Sequence, residues 1–163
     1  MVKIIAEIGI NHNGSIEECK KLILLAKVSG CEYVKIQKRE PDICVPEEQK
    51  NKIKQTPWGT MTYLEYKKRI EFNEEQIIEL IEFSKQNDII FFASVWDIPS
   101  ATLMAKYTNI VKIGSACLTN DELIKFCRKN FKTYILSTGM SNEEEIYHAV
   151  SLSNPDIIMH TNS

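Results

Sequence analysis

No apolar run in this 163-residue chain approaches the roughly 18 residues that a membrane span needs. The opening stretch MVKIIAEIGINHNG meets Glu7 too early to be a signal-peptide core. The chain therefore reads as cytoplasmic, with no membrane partner. An excess of positive charge is also missing: 20 Lys and Arg stand against 22 Asp and Glu, for a net charge of −2. That argues against the broad basic surface that a phosphate backbone requires, and nucleic acid is set aside as a partner. The five cysteines (Cys19, Cys31, Cys44, Cys117, Cys127) are odd in number and form no CxxC pair. Neither a disulfide framework nor a thiolate zinc site is indicated, and reduced, packed thiols are expected. There is no GxGxxG and no Walker lysine motif.

What is present is a composition of 44% hydrophobic and 26% charged residues, enough to bury a real core. Short β-branched runs recur at 3–8, 33–37, 89–94, 110–114, 133–137 and 157–160. Helical segments alternate with them at 15–29, 62–69 with 74–86, 100–107, 121–128 and 142–152. Four helix starts carry a capping residue with Glu or Gln three positions on: Ser15/Glu18, Asn73/Gln76, Thr119/Glu122 and Ser141/Glu144. Short strands joined by crossover helices must be parallel, which leaves a doubly wound open sheet or a (βα) barrel. The Pro- and charge-rich segment 39–60 is expected to be a long, functional loop.

Three of the strands carry charge where a covered sheet should be apolar. In AEIG, VKIQ and VKIG, Glu7, Lys35 and Lys112 alternate with apolar neighbours and so face away from the helix-covered side. An unpaired charge there costs several kcal/mol, order of magnitude. Edge charges, or a Glu–Lys set paired within itself, would satisfy them without chemistry. Convergence favours function instead. Gln37, Ser94, Ser115 and Ser137 also fall at C-terminal strand ends, where βα proteins place their sites. The set describes a pocket for a small, multiply charged phosphate or carboxylate.

Other polar residues are less decisive. His12, in the NHNG turn, is either a satisfied hydrogen-bonder or a substrate contact; His148 reads as a surface or packing residue, and His160 lies at the sixth strand end without a clear partner. Trp58 and Trp96 could each wall a pocket. Gly139, in LSTGM, is placed to offer backbone N–H to an anion.

The ordered set AEIGINHNG, VKIQ, TPWGTMTYLEYKKRIEF, FFASVWD, VKIGSACLTNDEL, LSTGMS and MHTNS, running from Ile4 to Ser163, resembles the sialic acid synthase family, the N-acetylneuraminate synthase-like enzymes. The resemblance implies an α/β fold with a (βα) TIM-barrel-type parallel sheet. It also implies a transferase of carbohydrate biosynthesis in which phosphoenolpyruvate condenses with an N-acylated amino sugar such as N-acetylmannosamine, giving a nine-carbon 2-keto acid and phosphate. Lys35, Ser94, Lys112, Ser115 and Ser137 match positions that hold phosphoenolpyruvate, with Ser94 in place of a threonine found in some members. Glu7 and Gln37 match polar positions near the reacting carbons, and Glu7 is the candidate for proton handling or water orientation. Ser163 matches a position near the phosphate.

Family members use a divalent metal, manganese or magnesium, whose two histidine ligands would lie beyond Ser163; none is assigned to His12, His148 or His160. A TIM barrel has eight strands in roughly 250 residues, whereas this sequence supplies six. The expectation is thus one truncated TIM-barrel synthase domain over 1–163, incomplete at six of eight strands and lacking the C-terminal antifreeze-like domain. Its strand order should be consecutive, its open edges should favour self-association or a complementary chain, and by itself it should show no appreciable turnover. The alternative is a non-catalytic anion-binding or assembly module.

Overall fold

The computed structural model describes residues 2–162; Ser163 lies outside them. Two compact units divide the chain, Met1–Phe91 and Phe92–Ser163.

The first unit opens with β1 (Ile5–Gly9), α1 (Ile16–Val28) and β2 (Tyr33–Lys38). β1 and β2 pair in parallel with Ala6 opposite Val34 and Glu7 opposite Lys35, after which the register slips so that Gly9 faces Ile36. Gly9 sits at φ +58°, a conformation glycine adopts without strain, and the slip is a bulge at the C-terminal end of the strand. The α1 face carrying Cys19, Ile23 and Ala26 is buried, and Val34 and Ile36 of β2 are fully buried. Ser15 caps α1 by accepting from the Glu18 N–H.

Segment 39–60 is not the open loop expected. It holds two single-turn helices, α2 (Pro41–Cys44) and α3 (Glu47–Lys50), and an antiparallel hairpin, β3 (Ile53–Thr56) with β4 (Gly59–Thr62). The hairpin escaped the sequence reading because IKQT and GTMT show no apolar alternation, and β3 is largely exposed. Helices α4 (Tyr63–Ile70) and α5 (Glu74–Gln86) follow, each opened by a reciprocal capping box, Thr62 with Glu65 and Asn73 with Gln76. Trp58, in the hairpin turn, lies under the Arg69 guanidinium, 4.6 Å from the ring centroid.

Strand β5 (Ile90–Val95) spans the division at Phe91/Phe92. The second unit continues with α6 (Ile98–Ala105), β6 (Ile110–Ile113), a 3₁₀ turn (Ser115–Cys117), α7 (Asp121–Asn130), β7 (Thr133–Ser137), α8 (Glu143–Ser153) and β8 (Ile157–Met159). Phe92, Ala93, Ser94 and Val95 are all buried, as are Tyr134 to Ser137, the pattern of strands covered on both faces. Two caps fall one residue later than expected: Asn120, not Thr119, starts α7, and Asn142, not Ser141, starts α8 in a box with Glu145. An asparagine immediately follows each nominated hydroxyl and takes the role.

The large sheet runs in the order β1-β2-β5-β6-β7-β8, so the six predicted strands stand in consecutive order, as barrel-type βα units place them. All five cysteines are free, and burial pushes the Cys19 and Cys127 thiols to about 12 and Cys117 to about 11. Such thiols stay protonated and inert. No helix among the described residues is long and apolar enough to cross a membrane.

Candidate functional site

In the first unit, the direct register of Glu7 and Lys35 brings their side chains into an ion pair. The partners differ sharply in exposure, the Lys35 side chain being 4% exposed and that of Glu7 53%. Burial pushes the Lys35 ammonium below its ordinary range, opposed by the charge and hydrogen bond of Glu7. The paired reading of these two residues is therefore realised here, but with one end open to solvent.

Two residues on, half-buried Gln37 lies on the same side of β2. Its Oε1 accepts from Arg39 Nη2 at 3.0 Å. Arg39 is itself buried, and its Nε donates to Glu71 Oε1 at 2.6 Å while its backbone N–H donates to Glu71 Oε2 at 3.2 Å. Lys38 Nζ stands 3.6 Å from Glu71 Oε2 and donates to the Arg39 carbonyl. Desolvation raises the Glu71 carboxyl above its usual range, against the pull of Lys38 and Arg39. Sequence reasoning missed Arg39 and Glu71. The signal was available in the KR that follows VKIQ and the Glu of RIEF, charges immediately beside strand and helix ends.

His12 resolves to a structural residue. It is 1% exposed, its ring stacks on Phe72 at 4.2 Å, and Nδ1 accepts from the Gly14 N–H at 3.0 Å. Burial lowers its pKa to about 4, with a backbone hydrogen bond to Gly9 opposing. The turn can press this close because Gly14, at φ +75°, has no Cβ; one built there would lie 2.3 Å from the Arg69 carbonyl oxygen.

In the second unit, Ser94 and Lys112 are register partners on β5 and β6. Ser94 is 3% exposed and its hydroxyl has no hydrogen-bond partner among the described residues. Ser115 accepts from the Gly139 N–H at 3.1 Å, so that amide is already engaged and is not the open anion donor expected. The Ser137 hydroxyl lies 3.1 Å from that of Thr161, and buried Cys117 faces the Trp96 carbonyl at 3.9 Å. His148 reaches both oxygens of Asp121 at 3.0 Å on the surface, and His160 is exposed.

A divalent metal finds no fitting set here: no group of three His, Cys, Asp or Glu side chains gathers among the described residues. An open recess of about 550 Å³ lined by Thr60, Met61, Glu65, Lys68 and Arg69 contains none of the nominated residues.

These arrangements can do one thing well. The buried Lys35 ammonium and the buried Ser94 hydroxyl are each donors that suit oxygen anions. Comparison with known proteins agrees with the strand order and the residue pattern. The chain is 35% identical over 156 residues to the N,N'-diacetyllegionaminic acid synthase of Campylobacter jejuni and 35% identical over 152 residues to the N-acetylneuraminate-9-phosphate synthase of Drosophila melanogaster. Each alignment covers 91% of this chain, but only 46% and 41% of the relatives, so the chain spans less than half their length.

Among solved structures, the N-acetylneuraminic acid (sialic acid) synthetase of Leptospira borgpetersenii, in complex with citrate, superposes with a TM-score of 0.87 at 26% identity, over 99% of this chain and 54% of that one. A truncated 3-deoxy-D-arabino-heptulosonate 7-phosphate synthase from Thermotoga maritima shares the fold alone, with a TM-score of 0.64 at 13% identity. The family profile matches residues 22–162, and with these relatives it establishes that the chain belongs to the NeuB family.

Proposed function

We propose that this chain is the phosphoenolpyruvate-binding part of a sialic acid-type synthase. The full reaction joins C3 of phosphoenolpyruvate to the aldehyde carbon of an N-acylated amino sugar, adds water at C2 and expels phosphate, leaving a 2-keto sugar acid. Lys35, Ser94, Lys112, Ser115 and Ser137 are the proposed holders of phosphoenolpyruvate, with Glu7 and Gln37 near the reacting carbons. The ligand carries close to three negative charges, which two ammonium groups and several hydroxyl donors offset.

The observation that carries the reading is the buried Ser94 hydroxyl, without a partner among the described residues and in register beside Lys112. A buried hydroxyl without a partner is costly, and a ligand oxygen would relieve it. Lys35 supports the same reading, because a substrate anion can take over from a solvent-facing Glu7 at little cost. The displaced Glu7 carboxylate is then free to orient water or handle a proton.

Calorimetric titration with phosphoenolpyruvate tests the assignment. The parent chain should bind, and Lys112→Ala should lose about 1.5–3 kcal/mol, roughly tenfold or more in affinity. Unchanged affinity in Lys112→Ala would sink it. For the 163 residues alone, binding is proposed without appreciable turnover when manganese and N-acetylmannosamine are added. Phosphate and 2-keto acid production by a monodisperse preparation would overturn that part.

A further inference from the structure

Arg39 is not one of the proposed ligand contacts, yet it is the residue that decides what Gln37 can do. Alternation places Lys35 and Gln37 on one side of β2, and Arg39, just past the strand end, continues that side. Arg39 is 5% exposed. Its Nε and backbone N–H are spent on the two oxygens of Glu71, at 2.6 and 3.2 Å, and its Nη2 reaches Gln37 Oε1 at 3.0 Å.

A guanidinium has N–H donors and no acceptor. Whichever way an amide is drawn, the atom meeting Arg39 must therefore be the Gln37 oxygen. The Gln37 amide nitrogen makes no hydrogen bond among the described residues, so its two N–H groups are left for a ligand. An unrestrained glutamine could rotate and offer either end. Rotating this one would set the Gln37 N–H groups against the guanidinium N–H, donor facing donor.

We infer that Arg39 is a positioning residue which, anchored by Glu71, fixes the Gln37 amide with its N–H groups directed away from the guanidinium, so that the group those N–H donors recognise is a carboxylate, phosphate or carbonyl oxygen of the substrate. The identity of that substrate rests on the phosphoenolpyruvate reading; the orientation of Gln37 does not. The amide end turned away from Arg39 carries only N–H groups, and these meet an acceptor rather than a donor on the ligand.

The test uses the ¹⁵N-labelled chain, with the Gln37 side-chain amide signals assigned by their loss in Gln37→Met. Arg39→Lys keeps a positive charge opposite Glu71 but cannot fork to Glu71 and Gln37 together. It should leave the backbone spectrum folded, move the Gln37 amide signals and weaken phosphoenolpyruvate binding about tenfold. Adding Gln37→Met to Arg39→Lys should cost little more, because both changes break one interaction. Gln37 signals indifferent to Arg39→Lys, or losses that simply add, would overturn the inference.

Gln37→Glu covers the case in which Arg39→Lys does not fold. Arg39 still holds the new carboxylate, which can donate nothing, and affinity should fall roughly a hundredfold with stability kept. Retained affinity in Gln37→Glu would refute the donor role. If the parent itself binds no phosphoenolpyruvate, the substrate reading fails, and the response of the Gln37 signals to Arg39→Lys still decides the orientation.

Discussion

Two groups of charge are centred four positions apart, one at Lys35 on β2 and one at Arg39 just past its end, and they are built in opposite ways. At the Arg39 end the carboxylate is buried: the Glu71 side chain is 8% exposed, and Lys38, Arg39 and a backbone N–H converge on it. At the Lys35 end the ammonium is buried but its carboxylate partner is half in water. A charge enclosed on all sides by its own protein is finished; a charge whose partner leans into solvent can exchange that partner for a ligand. On the proposed function, the difference separates a device that shapes the site from one that would meet the substrate, though both look like charged residues beside a strand in the sequence.

The largest expected effect tests that difference directly. Arg39→Met leaves Glu71 buried without its main partner and should cost about 3–5 kcal/mol in urea denaturation. Lys35→Met removes a buried ammonium whose partner is already solvated, and should come within about 1 kcal/mol of the parent or exceed it. Equal losses in the two variants would erase the distinction.

His12 extends the comparison to a group satisfied by backbone alone. Its folded pKa of about 4 lies below the ordinary value of 6.5, so the folded chain binds fewer protons than the unfolded one between those limits. The corresponding stability is fully present above pH 6.5 and is lost as pH falls towards 4, on the order of 3 kcal/mol in all. Glu71, whose carboxyl is raised, contributes the opposite slope at acid pH. The quantity to measure is therefore the difference between parent and His12→Asn across pH 4–7. A difference that does not change with pH would contradict a buried, neutral His12.

A third effect concerns the ligand rather than the fold. Lys35→Met should weaken phosphoenolpyruvate binding by about 1.5–3 kcal/mol while leaving thermal stability intact or raised. That combination, function lost and stability kept, is what a residue retained for its substrate shows. A variant that binds as the parent does would assign Lys35 to Glu7 alone.

Much of this was legible in the sequence. The six parallel strands followed from β-branched runs separated by capped helices, and their consecutive order from the family resemblance; alternation with apolar residues put Glu7 and Lys35 on one face, but the sequence favoured a ligand for them over the ion pair that the structure shows. What stayed hidden was set by tertiary contacts. The β3–β4 hairpin has no apolar face to announce it. The fate of His12 depended on Phe72, sixty residues away, and on the close approach that Gly14 permits. Arg39 and Glu71 meet across 32 positions, and no local pattern distinguishes a buried Arg–Glu pair from two surface charges.

The smallest expected effect sharpens the comparison most, because its sign is informative. If Glu7 occupies Lys35 only until a substrate arrives, then Glu7→Gln removes a competing and repelling negative charge. Phosphoenolpyruvate should bind as tightly as in the parent or a few-fold more tightly, a gain of about 0.3–1 kcal/mol, since a half-exposed carboxylate interacts weakly through water. The same substitution withdraws the charge that supports the Lys35 ammonium, so Lys35 should titrate at still lower pH. The gain in affinity should then shrink in alkaline buffer as the ammonium is lost. Calorimetric titration of Glu7→Gln at neutral pH and again near pH 9 measures both. Weaker binding at neutral pH would mean that Glu7 helps to hold the ligand, and the exchange of partners at Lys35 would have to be abandoned.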